Sequence, residues 1–508
     1  MSESKEDIID INEPLDKFTL HIKNLKNKYK KKCKQDGIDF DANIFNKILG
    51  DVVKEVSVLY DDPDQFTHFY KDMGAMEKTA DAANKISIAK TLLSFHLNIS
   101  YTLAFQILGD TIGYNNGKWE FNNDQINPGF EYTNELIYEY IELGGLIEID
   151  LTGWLRSDDS IMYQATFEVL LDTFYKIDNS TDITNANNDT YIISPPMSNN
   201  NTINEFGQKI QKKYIEIIPS MENRHPGNTV MRSLGIQKNI KWDTLPYSSE
   251  DIGSGASMRS GCIGLFYCGI ENRLKLIALA TECARITHNS AIAIYGSIVA
   301  ALFTAFALER IDINYWPSLF IDLYKTGIID DYVKKSRPHE YEQFARDKIL
   351  FYGQWEKYVT MRFTGKIPRS DLRIFKNPVT RIKYFAENFS KGHIDFPGAN
   401  SDDSVIIAYD SVMSSKANVE KNIIYSILHI GDSDTIGSIA LSWQRAYYNN
   451  LPIYKLMDGG LFLLENYNDV MQLRWSHKNF MISYEIFMNN IFDSEFIFRF
   501  ESYLKLLI

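Results

Sequence analysis

Cysteine is scarce. The 508 residues hold four, Cys33, Cys262, Cys268 and Cys283, and no two stand in CxxC spacing. That excludes a disulfide scaffold or a structural zinc site and makes a reducing, cytoplasmic setting the default. Positive charge is in deficit: 53 Lys plus Arg against 66 Asp plus Glu leave a net charge of −13. Duplex affinity comes mostly from cations meeting phosphates, so no nucleic-acid partner is expected. Apolar/polar alternation of period two is also rare, which argues against a β-rich fold. The N-terminal MSESKEDIIDINEPLDK has no apolar stretch and reads as no secretory signal. Long apolar runs are few. One, AIAIYGSIVAALFTAFAL over Ala291–Leu308, carries no charge and is just long enough to span a bilayer. Ser297 and Thr304 inside it, and Glu309-Arg310 directly after it, suit the buried central helix of a large α domain better, and no membrane partner is expected.

Hydrophobic residues make up 44% and charged residues 23%, enough for a sizeable core. Apolar spacing is helical from Lys90 onward. Ile436, Ile439, Ala440 and Trp443 repeat at 3.6 residues; so do Val405, Ile406, Tyr409 and Val412, and Ile161, Met162, Ala165 and Val169. The fold class expected is all-α: a compact, orthogonal domain of about a dozen helices over 91–508, with a helical C-terminal segment after about 466. Residues 1–90 read as a polar helical extension. Its basic run KNLKNKYKKKCK (23–34) suits a solvated helix face, a nuclear address or an acidic-partner patch. Between Asp178 and Asn204 an Asn/Ser/Thr-rich segment cannot bury enough apolar surface to offset its ordering entropy, and it reads as a flexible insertion. A monomer is expected.

Two acidic clusters stand where loops enter helices: Ser157-Asp158-Asp159-Ser160 and Gly431-Asp432-Ser433-Asp434-Thr435. Capping is the simple account of such residues, since Ser and Asp satisfy the orphan amides of a helix start. Capping needs one such residue, however, and each cluster has two carboxylates plus hydroxyls. Neighbouring carboxylates repel unless a cation neutralises them, and hard divalent ions take oxygen ligands of these types. Two such loops meeting would hold two ions on one side of a substrate. A third candidate, Gly253-Ser254-Gly255-Ala256-Ser257-Met258-Arg259, is either an ordinary turn or a loop whose amides approach a phosphate. It is no Walker loop, because no Gly-Lys-Ser/Thr follows.

In order along the chain, six blocks resemble the ADP-ribosylhydrolase family, which includes the dinitrogenase-reductase-activating glycohydrolases, and are most similar to its arginine-specific animal-type branch. They are GDTIGYNNGKWEF (109–121), GWLRSDDSIMYQATFEVL (153–170), GSGASMRSGCIGL (253–265), ARITHNSAIAIYGSIVAALFTAFAL (284–308), SDDSVIIAYDSV (401–412) and HIGDSDTIGSIA (429–440). The resemblance implies a binuclear Mg²⁺ centre, with metal ligation by Ser157, Asp158 and Asp159 from one loop and Asp432, Asp434 and Thr435 from the other. It implies that Gly253, Gly255, Ala256, Ser257 and Met258 hold the diphosphate and ribose of ADP-ribose, with His288 near the ligand and Ser433 facing the ribose. Asp158 and Asp159 would position or deprotonate a water, and Glu120 would gate the site as a mobile glutamate; an exposed, idle Glu is the alternative.

The implied activity is Mg²⁺-dependent removal of ADP-ribose from modified protein side chains, arginine-linked first and serine-linked second, with ADP-ribosylated proteins and ADP-ribose as partners. Three departures from the branch stand out. Ile430 replaces a glycine before the second acidic motif, THNSA (287–291) replaces THHHP, and Ser401-Asp402-Asp403-Ser404 replaces a small GHDA-type loop. They motivate a rival, a non-catalytic ADP-ribose-binding protein of the same fold. A third reading, a glycosyltransferase using Asp432-Ser433-Asp434 as a DxD, requires an α/β fold.

Overall fold

A computed structural model describes residues 102–122, 129–151, 154–174, 200–365, 367–369, 375–390 and 396–448. All fall within the compact unit that includes Asn98–Asn449. The 1–90 extension, its basic run and the segment after 466 lie outside the described residues, as does most of 178–204. The last residues of that insertion begin a helix at Asn200.

The elements are helical almost throughout. They are α1 (102–114), α2 (Tyr132–Glu142), α3 (Asp158–Phe174), α4 (Asn200–Glu216), α5 (Asn228–Gln237), α6 (Ser257–Phe266), α7 (Arg273–Arg285), α8 (Ala291–Leu308), α9 (Trp316–Lys325), α10 (Ile328–Ser336), α11 (Tyr341–Arg362), α12 (Pro378–Phe389), α13 (Ser401–Ser415), α14 (Val419–Ser426) and α15 (Ser433–Tyr447), joined by single helical turns. Among the described residues the only strands are the two-residue pair β1 (Phe363–Thr364) and β2 (Ile367–Pro368), antiparallel, with Phe363 opposite Pro368. The all-α expectation holds.

Helix α8 is the axis of the core. Its apolar residues occur on every side rather than along one stripe, the signature of a helix buried all round. It packs against α6, α7, α11, α13 and α15. Its residues Ala291 to Ala307 are all buried, so its mean hydropathy of 2.1 reflects protein surroundings rather than lipid. Ser290 starts it, its hydroxyl accepting the Ala293 amide at 3.1 Å. Phe303 seats against Trp316, Trp355, Tyr409 and Trp443, with ring centroids 5.3–5.6 Å apart, and so ties α8 to α9, α11, α13 and α15.

The three periodic faces read from the sequence are buried as expected, but α13 and α15 are enclosed on their polar sides as well. Ser401, Asp402, Asp403 and Ser404 are buried, as are Ser433, Asp434 and Thr435. Polar side chains facing inward at two helix starts are the first structural sign of a site.

Candidate active site

Close helix approach builds the site. Helix α1 lies directly on the start of α15 because Gly109 and Gly113, one turn apart, lack side chains. A Cβ at Gly113 would come within 2.5 Å of the Ser433 carbonyl, and one at Gly109 would strike Gly437. This seats Asp110 beside the second acidic loop. Asp110 is fully buried and reaches the first loop too: it accepts the Ser157 hydroxyl at 2.6 Å, the Ser157 amide at 3.2 Å and the Ser160 amide at 3.3 Å.

Capping and convergence turn out to coexist. Ser157 Oγ accepts the Asp159 amide at 3.1 Å and so caps α3, which leaves the Asp158 and Asp159 carboxylates unneeded for that purpose. Asp432 caps α15 by accepting the Thr435 amide at 3.3 Å. The two loops then meet directly. Thr435 Oγ1 donates to Asp159 Oδ2 at 2.7 Å, across 276 residues of chain. Asp110, Asp158, Asp159, Asp432 and Asp434 therefore share one buried centre.

Electrostatics mark this centre as incomplete. Burial, reinforced by Asp434, Asp158, Asp110 and Asp432, pushes the Asp159 carboxyl well above the ordinary carboxylate range. Burial with Asp432 and Asp110 does the same for Asp434, and burial with Asp110 for Asp158. Burial lifts Asp432 to about 7, with Glu120 adding to the effect and hydrogen bonds opposing it. Among the described residues, none of the five carboxylates has an ion-pair partner.

Donor chemistry fits a hard cation: the set is all oxygen, carboxylate and hydroxyl. Among the described residues no three His, Cys, Asp or Glu side chains form a preassembled metal cage. Ligation would thus draw on Ser157, Thr435 and water oxygens as well as carboxylates.

The remaining expected residues fall around this centre. Glu120 is buried, not exposed and idle; its Oε2 lies 3.0 Å from His225 Nδ1. Burial, then Asp434 and Asp158, raises its carboxyl well above the usual range, which sets it beside the acidic loops. Ser254 of the glycine loop donates to Asp432 Oδ2 at 2.9 Å and joins that loop to the centre. Gly253 bridges to Asn400, and its carbonyl accepts the Ser401 hydroxyl at 2.6 Å. The Ser401–Ser404 segment is therefore the capped first turn of α13 rather than a loop, and it braces the glycine loop from below.

Gly255 packs on the His288 ring, where a Cβ would stand 2.6 Å from Cε1. Burial, with Arg259 and Arg232, holds His288 well below its ordinary range, hence neutral. Ala256, Ser257 and Met258 are buried, and the Ser257 hydroxyl is used within the protein, donating to the Ser254 carbonyl at 2.8 Å. The Ser433 hydroxyl donates to the Gly113 carbonyl at 2.8 Å, in the α1–α15 contact.

The family model described as ADP-ribosylglycohydrolase matches residues 102–454, which span every element of this centre. The chain belongs to the ADP-ribosylglycohydrolase family. Among curated relatives, a protein of Acanthamoeba polyphaga mimivirus named for ADP-ribosyl glycohydrolase, L444, is 47% identical over 397 residues, 78% of this chain and 73% of that one. The Dictyostelium discoideum ADP-ribosylhydrolase ARH1 is 30% identical over 382 residues, 70% of this chain and 88% of that one. As a member of this ADP-ribosylglycohydrolase family, the chain is a hydrolase of ADP-ribosyl linkages.

Sequence reasoning missed two residues of the site. Asp110 lies within the block 109–121, and its signal was the Gly-x-x-x-Gly spacing of Gly109 and Gly113 that lets a backbone come close. His225 had no local signal, because its partner Glu120 lies 105 residues away.

Proposed function

We propose that this ADP-ribosylglycohydrolase removes ADP-ribose from mono-ADP-ribosylated protein side chains with the help of two Mg²⁺ ions, the arginine N-glycosidic linkage being its first substrate. The observation that carries the reading is the Thr435–Asp159 contact, which joins into one centre two acidic loops whose carboxylates have no ion-pair partner among the described residues. Ser157, Asp158 and Asp159 from one loop, and Asp432, Asp434 and Thr435 from the other, would hold the ions. When bound, the ions supply electrostatic stabilisation and an activated water.

The chain's own groups do the rest. Asp158 and Asp159 orient the attacking water and accept its proton, while the Ser254–Asp432 hydrogen bond keeps the glycine loop in register with the metal side. Cleaving the bond to a guanidine requires a proton for the leaving nitrogen. Glu120 is the candidate to supply it, because burial and its acidic neighbours push its carboxyl above the usual range and so favour its protonated form. With Mg²⁺ present, release of ADP-ribose from an arginine-modified protein should fall at least about 100-fold in Asp158→Asn and in Asp432→Asn, since a metal contributes several kcal/mol of charge stabilisation. Equal activity in all three proteins would rule this mechanism out.

A further inference from the structure

The turn after α1 is strained. Asn115, Asn116, Gly117, Phe121 and Asn122 all have positive φ, from 40° to 83°. Asn and Gly tolerate this region, but for Phe121, at φ 51°, it costs about 1–2 kcal/mol. A strained turn persists only where its surroundings fix it. Several contacts anchor it, among them the Phe121 ring standing edge-on to Phe396 with centroids 5.4 Å apart. Asn116 Oδ1 accepts the Leu155 amide at 2.6 Å, Trp119 Nε1 donates to Glu139 at 2.9 Å, and the Phe121 amide donates to the Gly431 carbonyl at 3.0 Å. Another is the contact between Glu120 and His225.

His225 meets this turn at two points and the end of α1 at a third. Its Nδ1 faces Glu120 Oε2 at 3.0 Å, and its ring stands edge-on to Tyr114 with centroids 5.4 Å apart. It also fills the space above Gly117, where a Cβ would come within 2.5 Å of Cε1. The imidazole is nearly half exposed, at 45%, while Glu120 beneath it is 8% exposed, so the ring sits at the mouth of the centre. The residues beside His225 are fixed to the first acidic loop: the Arg224 carbonyl accepts the Asp158 amide at 3.3 Å, and the Gly227 amide bonds the Asp158 carboxyl. Glu120, through its neighbour Phe121, is fixed to Gly431 of the second loop. The His225–Glu120 contact closes this circuit between the two loops.

We propose that His225 is a positioning residue that latches the strained 115–122 turn closed and sets Glu120 against the acidic centre. The assignment rests on the hydrolase reading above for its effect on turnover, but not for its effect on the turn itself.

The test uses the full-length protein without added metal and follows amide hydrogen exchange in peptides covering 115–122. His225→Ala should exchange at least about tenfold faster there, as expected for loss of a hydrogen bond to a carboxylate, with α8 peptides and thermal unfolding unchanged. His225→Asn keeps an Nδ donor at the same place and tolerates a positive φ, so it should restore slow exchange. In parallel, kcat on an arginine-linked substrate should fall about tenfold in His225→Ala with KM little changed, and recover in His225→Asn. Unaltered exchange in His225→Ala, or exchange in His225→Asn as fast as in His225→Ala, would overturn the latch. An original protein inactive on every linkage would instead sink the hydrolase reading, and the exchange result would still decide the latch.

Discussion

Among the described residues, two of the groups of buried aspartates are held in opposite ways. Asp410, on α13, is gripped by Arg362 Nε at 2.8 Å, Arg381 Nη2 at 2.9 Å and the Tyr358 hydroxyl at 2.8 Å. Burial alone would raise its carboxyl, but the two guanidiniums outweigh that and hold it below the ordinary range. The centre around Asp159 and Asp434 has no such partner, and its carboxyls are driven upward. The lesson is one of electrostatic closure. A buried charge that the chain neutralises itself is structural, whereas several buried carboxyls converging without an ion-pair partner are candidates for ligand binding.

That contrast can be broken or sharpened experimentally. The largest effect on stability is expected at the closed cluster: Asp410→Asn leaves two buried guanidiniums without their carboxylate and should cost about 3–5 kcal/mol in a denaturant titration. A loss under 1 kcal/mol would mean that the cluster is no structural keystone. Because its folded pKa is depressed, the stability Asp410 contributes is present above the ordinary carboxylate range and is lost as pH falls through it and below.

The open centre should behave in reverse. Its raised carboxyls favour the folded state when protonated, so the metal-free protein loses stability as pH rises through about 7, where Asp432 titrates. Mg²⁺ at a hundredfold excess over its dissociation constant should then add about 2.7 kcal/mol, more at higher pH, and EDTA should remove it. Thermal melts at two pH values read this directly, and a Mg²⁺ effect independent of pH would count against ligation by these groups. The smallest effect is the most diagnostic in sign: Asp434→Asn, without metal, should stabilise by about 1 kcal/mol, because it removes a carboxyl whose charged form burial and its acidic neighbours disfavour. A destabilisation would show that the hydrogen bonds Asp434 makes, such as that from the Thr435 amide at 2.9 Å, outweigh its electrostatic cost in the metal-free protein.

Much of this was legible in the chain. The acidic doublets, the glycine loop and the uncharged core helix are local patterns, and each is found where its spacing indicated. The capping reading of the acidic clusters was correct as far as it went. Ser157 and Asp432 do cap helices, and the same geometry leaves the neighbouring carboxylates over for another task. What could not be read were pairings between distant segments: Asp110 with Ser157, Glu120 with His225, Asp410 with Arg362 and Arg381. No periodicity records which side chains a fold brings face to face. Ser433 is another such pairing. It lies between two centre carboxylates in sequence, yet the turn of α15 directs its hydroxyl at α1.

Sequence by itself determined the helical class, the identity of the core helix and the inventory of oxygen donors, because these follow from residue type and from spacing within one element. Tertiary structure alone decided that the two acidic loops share a centre, since that depends on glycines letting α1 and α15 touch. It likewise decided which aspartates have arginine partners, because charge compensation is a matter of distance in space.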